Sequence, residues 1–297
     1  MPALMPELES IVRDKTFWPG LRRSAVHALC AAAKALNDWS TPKRLLEALH
    51  ARQIEDEHHG LVGVLLKQLY PSQIPADTLW NYCTRDALAH DSQQWEFWHY
   101  LVPHYAPEQD LPTLADALVH ADLRMQSNGD DYTLSELVGS LLVALIPRFG
   151  AQVDTPRLYG WLNLAMGSYS DNNLQPAKHK QLAQWFTEHP VVYKQIYEYG
   201  LGQMQQDPQQ VRLGLYEIEC LLCEAEPPSD AADWFGLLAA QYTGELRHAL
   251  IEKSIEIEQQ RHGANSALER IEHWAQQHPK DSEWISTTVL HCPYPPD

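Results

Sequence analysis

Along the chain a polar residue followed by proline repeatedly precedes an apolar pattern of helical period. Thr41-Pro42 leads into Leu45, Leu46 and Leu49, Thr155-Pro156 into Leu158, Trp161 and Leu162, and Asp207-Pro208 into Val211, Leu215 and Ile218. Thr or Asp at an N-cap accepts an orphan amide hydrogen bond, and proline suits the first helical position, where its missing N–H had no partner. Each site therefore predicts a helix start.

Thr133 and Glu136 form a capping-box pattern ahead of Leu134, Leu137, Val138, Leu141, Leu142, Leu145 and Ile146, all on one 3.6-residue stripe, with Gly150 as the stop. Leu21, Ala25, Val26, Leu29, Cys30, Ala33 and Leu36 repeat the stripe, as do Leu61, Leu65, Leu66 and Leu69 before Tyr70-Pro71. Leu238, Tyr242, Leu246 and Leu250 continue it, followed by Ile251, Ile255 and a last helix through Leu268, Ile271 and Trp274. No sustained two-residue alternation of strand type occurs, so the predicted class is all-α.

Connections are short and polar, as at 127–131, 168–173 and 227–230. Helix pairs joined in this way cannot bury their stripes alone, and stacking them predicts an irregular HEAT-like α-solenoid of antiparallel helix pairs, with a compact bundle as the competing architecture. The helices near 21–36, 42–51 and 60–69 look like such units without a strict period. Pro227-Pro228 marks a break between a helical-repeat array at 1–226 and a C-terminal sub-array at 227–290, with a flexible proline-rich tail at 291–297.

Composition narrows the function classes. The 297 residues carry a net charge of -17, 44% are hydrophobic and the mean hydropathy is -0.39. That hydrophobic share supports a core. The negative charge removes the main driving force for nucleic acid or an anionic membrane, except at a local basic patch. The apolar stretch Leu137 to Ile146 is far short of the roughly 20 residues that span a bilayer. Glu7 and Glu9 give the first residues the wrong charge for a secretory leader, so a cytoplasmic location is expected. Five cysteines, an odd number within apolar patterns, read as reduced thiols.

Motifs for chemistry are weak. Neither GxxxxGK[ST] nor GxGxxG is present, and no serine sits in GxSxG. Cys220 and Cys223 form a CxxC whose sulfurs would share a helical face, but with no second ligand pair two buried apolar residues are the favoured reading. Glu55, Asp56, Glu57, His58 and His59 have no metal-ligand spacing and read as a solvated turn. Asp130-Asp131 resembles the magnesium motif of terpenoid enzymes, but its place before Thr133 favours a capping loop. Trp95, Phe97, Trp98, Tyr100 and Tyr105 concentrate aromatic surface. Core packing is the favoured reading, and a protein-binding hot spot is the functional one.

The segments 17-FWPGLRRSAVHAL-29 and 45-LLEALHARQIEDEHHGLVGVLLKQLYPSQIPADTLWNYC-83, with 226-EPPSDAADWFGLLAAQYTG-244 as a more degenerate piece, resemble the helical C-terminal region of bacterial NACHT-type STAND NTPases, most strongly over residues 17–105. The resemblance implies a helical surface that senses a trigger or restrains an NTPase, in a family linked to antiphage defence. Hydrolysis does not carry over, because the nucleotide-binding motifs have no counterpart here.

The expectation is a non-catalytic scaffold or sensor that binds a protein, either an NTPase module or a foreign trigger, with acidic charge selecting a basic partner surface. No catalytic residue, cofactor or metal is assigned, and neither nucleic acid nor membrane is expected as a partner. The alternatives are an all-α enzyme whose carboxylates and histidines meet only in space, and a regulatory subunit acting through homodimerisation.

Overall fold

The computed structural model describes residues 4–56, 59–88, 94–121, 132–166, 174–204, 211–281 and 284. The pair Asp130-Asp131, His58, the Asp207-Pro208 start and the 291–297 tail lie outside them. The regular structure of the described residues is helical, which establishes the all-α class, and none of these helices is long and apolar enough to cross a membrane. The chain divides into two compact units, Met1–Leu182 and Ala183–Asp297, so that Pro227-Pro228 falls inside the second.

The first unit begins with α1 (Met5–Arg13), α2 (Pro19–Leu36), α3 (Ser40–His50) and α4 (Gly60–Leu69), then the short α5 (Arg85–Leu88) and α6 (Trp95–His99). It continues through α7 (Leu111–His120), α8 (Tyr132–Phe149) and α9 (Thr155–Leu162), and α10 (Pro176–Glu188) runs past its end. Helices pack on their immediate neighbours, as α1 on α2 and α7 on α8, and also on the next but one, as α2 on α4, α4 on α6, α6 on α8 and α7 on α9. Packing at both separations is what stacked helix pairs of an irregular repeat produce.

Local sequence explains the elements. In α8, Leu137, Val138, Leu141, Leu142, Leu145 and Ile146 are buried as the stripe requires, and the Gly150 amide donates to the Ile146 carbonyl just past the helix end. Asp154, not Thr155, caps α9: its carboxylate accepts from the Arg157 amide at 2.8 Å. α3 begins at Ser40, earlier than the Thr41-Pro42 pattern suggests, and the Asp38 carboxylate accepts from the Ser40 amide.

Residues Leu101–Tyr105 form a π-turn closed by a bond from the Ala106 amide to the Leu101 carbonyl. Pro103 lies within it and cannot donate, and a wider turn accommodates the missing bond.

The second unit holds α11 (Pro190–Gln203), α12 (Val211–Leu221), α13 (Ala231–Ala239), α14 (Gly244–His262) and α15 (Ala264–Gln277). α13 packs on α14, α14 on α15 and α12 on α14. The expected run from Leu238 to Leu250 is broken here, because α13 ends at Ala239 and α14 starts at Gly244, whose φ of 64° suits a residue without a Cβ. Leu36 and Leu268, both expected in the stripes, are exposed, while Ala267 and Ile271 carry the core face of α15.

One corner recurs. Trp185-Phe-Thr-Glu-His189-Pro190 and Trp274-Ala-Gln-Gln-His278-Pro279 each end a helix at a histidine that precedes proline. Proline forces the residue before it out of helical geometry, and His189 (φ -122°, ψ 63°) and His278 (φ -130°, ψ 72°) adopt nearly the same conformation. Each imidazole lies against the indole four residues earlier, with ring centroids 4.2 Å and 4.3 Å apart.

Candidate functional site

One open cleft of the first unit is built from two short elements. Residues 75–83 make successive three-residue turns, with amide-to-carbonyl bonds from Thr78 to Pro75, Asn81 to Thr78 and Cys83 to Trp80. In such a turn side chains three apart eclipse each other, so Asp77, Trp80 and Cys83 form one row and Asn81 and Thr84 another. α7 supplies the facing wall at helical period, through Thr113, Asp116, Ala117, His120 and the following Ala121. Together these ten residues line a cleft of about 780 Å³.

Behind the walls Leu79, Leu114, Ala115 and Leu118 are buried. The Trp80 indole Nε1 donates to the Leu114 carbonyl at 2.8 Å and ties the two elements together. Its ring stacks on Trp98 at 5.5 Å, so the cleft rests on the aromatic core.

The polar groups of the cleft have separate fates. Asp116 accepts from Arg157 Nε at 2.9 Å, from Arg157 Nη2 at 2.6 Å and from the Trp161 indole at 2.8 Å, while the Arg157 guanidinium lies 5.0 Å from the Trp161 ring centre. Burial would raise the Asp116 carboxyl, but these bonds and the adjacent guanidinium outweigh it and hold the group below the ordinary carboxylate range. Thr84 accepts from the Ala87 amide, and Cys83 is buried. Asp77 is exposed and makes no ion pair among the described residues. No three His, Cys, Asp or Glu side chains among the described residues are placed to hold a metal ion.

A second concave region lies between the starts of α2 and α4. Lys15, Phe17, Pro19, Arg22, Arg23, Glu55, Asp56, Gly60 and Leu61 line a cavity of about 70 Å³. Arg22 is 5% exposed, and donates through Nε to the Val12 carbonyl at 2.9 Å and through Nη2 to the Glu55 carbonyl at 2.6 Å. Both Asp56 oxygens accept from the Leu61 amide and one also from Val62, each at 3.0 Å, capping α4. Burial nevertheless pushes the Asp56 carboxyl upward. Within the acidic turn Asp56 is thus a structural cap, while Glu55 is exposed and pairs with Lys15, and Glu57 and His58 lie outside the described residues.

The five aromatics singled out from the sequence do not form a surface patch. Phe97 and Trp98 are 0% exposed, Tyr105 is half-buried and stacks on Phe97 at 5.5 Å, and Trp95 is half-buried against His99. Tyr100 alone of the five reaches 36% exposure. Apolar ring area, with stacking on Trp80, draws α6 inward and leaves Phe97 and Trp98 out of reach of a partner. Cys220 and Cys223 are both buried, but Cys223 lies past the end of α12 at φ 54°, so the two do not share a helical face as the CxxC suggested.

The cleft was not singled out from the sequence. Its usable signal is the spacing of Thr113, Asp116, Ala117 and His120 on α7, a polar and small-residue stripe opposite the buried Leu114 and Leu118. The chain matches no family model, no curated protein and no solved structure.

Proposed function

We propose that this chain is a non-catalytic helical-repeat module that binds a partner protein through the cleft between residues 77–84 and α7. The observation that carries this reading is the commitment of much of the cleft's polar lining to structure: Asp116 to Arg157 and Trp161, Trp80 to Leu114, and Thr84 to Ala87. What remains is an open trough with two regularly spaced walls, the form in which helical repeats present binding surface. Given the resemblance of residues 17–105, the partner class is a bacterial NACHT-type NTPase that the module restrains, or the trigger that releases it, in the cytoplasm.

Light scattering of the chain alone and mixed with a NACHT-type NTPase of its native host, with NTP turnover read in parallel, tests this. A complex of fixed stoichiometry with altered turnover, both lost in Ala117→Trp, is the expected result. An unchanged mass and unchanged turnover on mixing would overturn it, and a concentration-dependent mass of the chain alone would favour the homodimer reading.

A further inference from the structure

The charge pattern around the cleft narrows the chemistry of its occupant. Residues 53–131 contain 13 Asp and Glu against three Lys and Arg. Among the described residues no lysine or arginine lines the cleft, whose ionisable side chains are Asp77, Asp116, His120 and the buried Cys83. Arg157 reaches Asp116 from α9 and satisfies that carboxylate, which leaves Asp77 on the facing wall as the negative charge open to a newcomer.

The rest of the trough is amphipathic. Ala117 and Ala121 keep the α7 wall low, and Trp80 borders the other side with only 5% of its surface exposed. A volume of about 780 Å³ accommodates several side chains. The open Asp77 carboxylate facing a wall of small residues suits a ligand with apolar side chains on one face and ammonium or guanidinium groups flanking them, whose methylene stems add contact area.

We infer that the cleft takes a cationic amphipathic helix of the partner protein, with a Lys or Arg of that helix paired to Asp77 and its apolar face against Ala117 and Ala121. This assignment rests on the interaction-module reading and specifies the chemistry of its partner. An acidic surplus speeds encounter with such a helix, while the trough sets where it stops.

The probe is a fluorescein-labelled 15-residue helical peptide of Leu and Lys at heptad spacing, compared with the same peptide carrying Glu for Lys. Both are titrated by fluorescence anisotropy against the full chain, Asp77→Lys, and Glu269→Lys, which makes the same charge change on the exposed face of α15. Asp77→Lys is expected to raise the Kd for the Lys peptide roughly tenfold or more, and Glu269→Lys to change it less than about twofold. The Glu peptide should not bind.

Equal weakening by the two charge reversals, or binding of the Glu peptide, would overturn the inference, and so would self-association of the chain that Asp77→Lys abolishes. Those results leave the module reading standing if the NTPase complex forms, so the two proposals fail separately.

Discussion

Within the first unit two neighbouring stretches carry opposite charge. Residues 13–52 hold eight Lys and Arg against three Asp and Glu, and residues 53–131 hold three against 13. By charge alone the first would suit anions and the second cations. Internal pairing thins both. Much of the basic stretch is engaged internally: Arg13 and Arg44 on Glu9, Lys15 on Glu55, and Arg22 on two backbone carbonyls. The acidic stretch presents Asp77 at the rim of a trough with no ion pair among the described residues. Local charge therefore predicts recognition only after internal pairing is subtracted, and the acidic stretch is thinned as well, with Glu55 on Lys15, Glu96 on Lys67, Glu108 on Arg148 and Asp116 on Arg157, which leaves Asp77 exposed and without an ion pair among the described residues.

The largest way to sharpen that contrast is to remove the buried cation. Arg22→Met deletes two hydrogen bonds from a charged donor and strands the Val12 and Glu55 carbonyls, and should lower unfolding stability by about 2 to 3 kcal/mol in urea titration. A midpoint unchanged from the wild type would show that Arg22 is not structural and would return the basic stretch to candidacy as an anion site.

A smaller effect distinguishes the two key aspartates by pH. Burial raises Asp56 above its unfolded value near roughly 4, so its contribution falls as pH rises through the folded value. Asp116 is the opposite case: despite burial, Arg157 and Trp161 depress it, so its contribution is present above the unfolded value and is lost as pH falls through the folded one. Asp56→Asn should flatten the decline of stability on the alkaline side of that range, and Asp116→Asn the decline on the acidic side, read from thermal midpoints across pH 3 to 7. Reversed or identical profiles would contradict the assigned partners.

The legible and illegible parts of the fold divide by period. α8 could be read because one uninterrupted stripe buries from Leu137 to Ile146. The run through Leu238 and Leu250 misled because its spacing of four continues across the break before Gly244, and only backbone geometry reveals the turn. The wall at 77–84 follows a period of three, neither α-helical nor strand-like, so pattern reading passed over half of the candidate site. Phe97 and Trp98 were visible as aromatics, but their neighbour across the core, Trp80, comes from a separate element, so their burial followed from contacts that spacing does not encode. The Trp-x-x-x-His-Pro corners were readable in principle, as a repeated string with a physical reason for the turn.

The most direct test of the account is hydrogen–deuterium exchange of the full chain with and without the Leu–Lys helical peptide. Added protection confined to 77–84 and 113–121 is the predicted outcome. Protection centred on residues 13–52 or on the second unit, with those two walls unaffected, would contradict it.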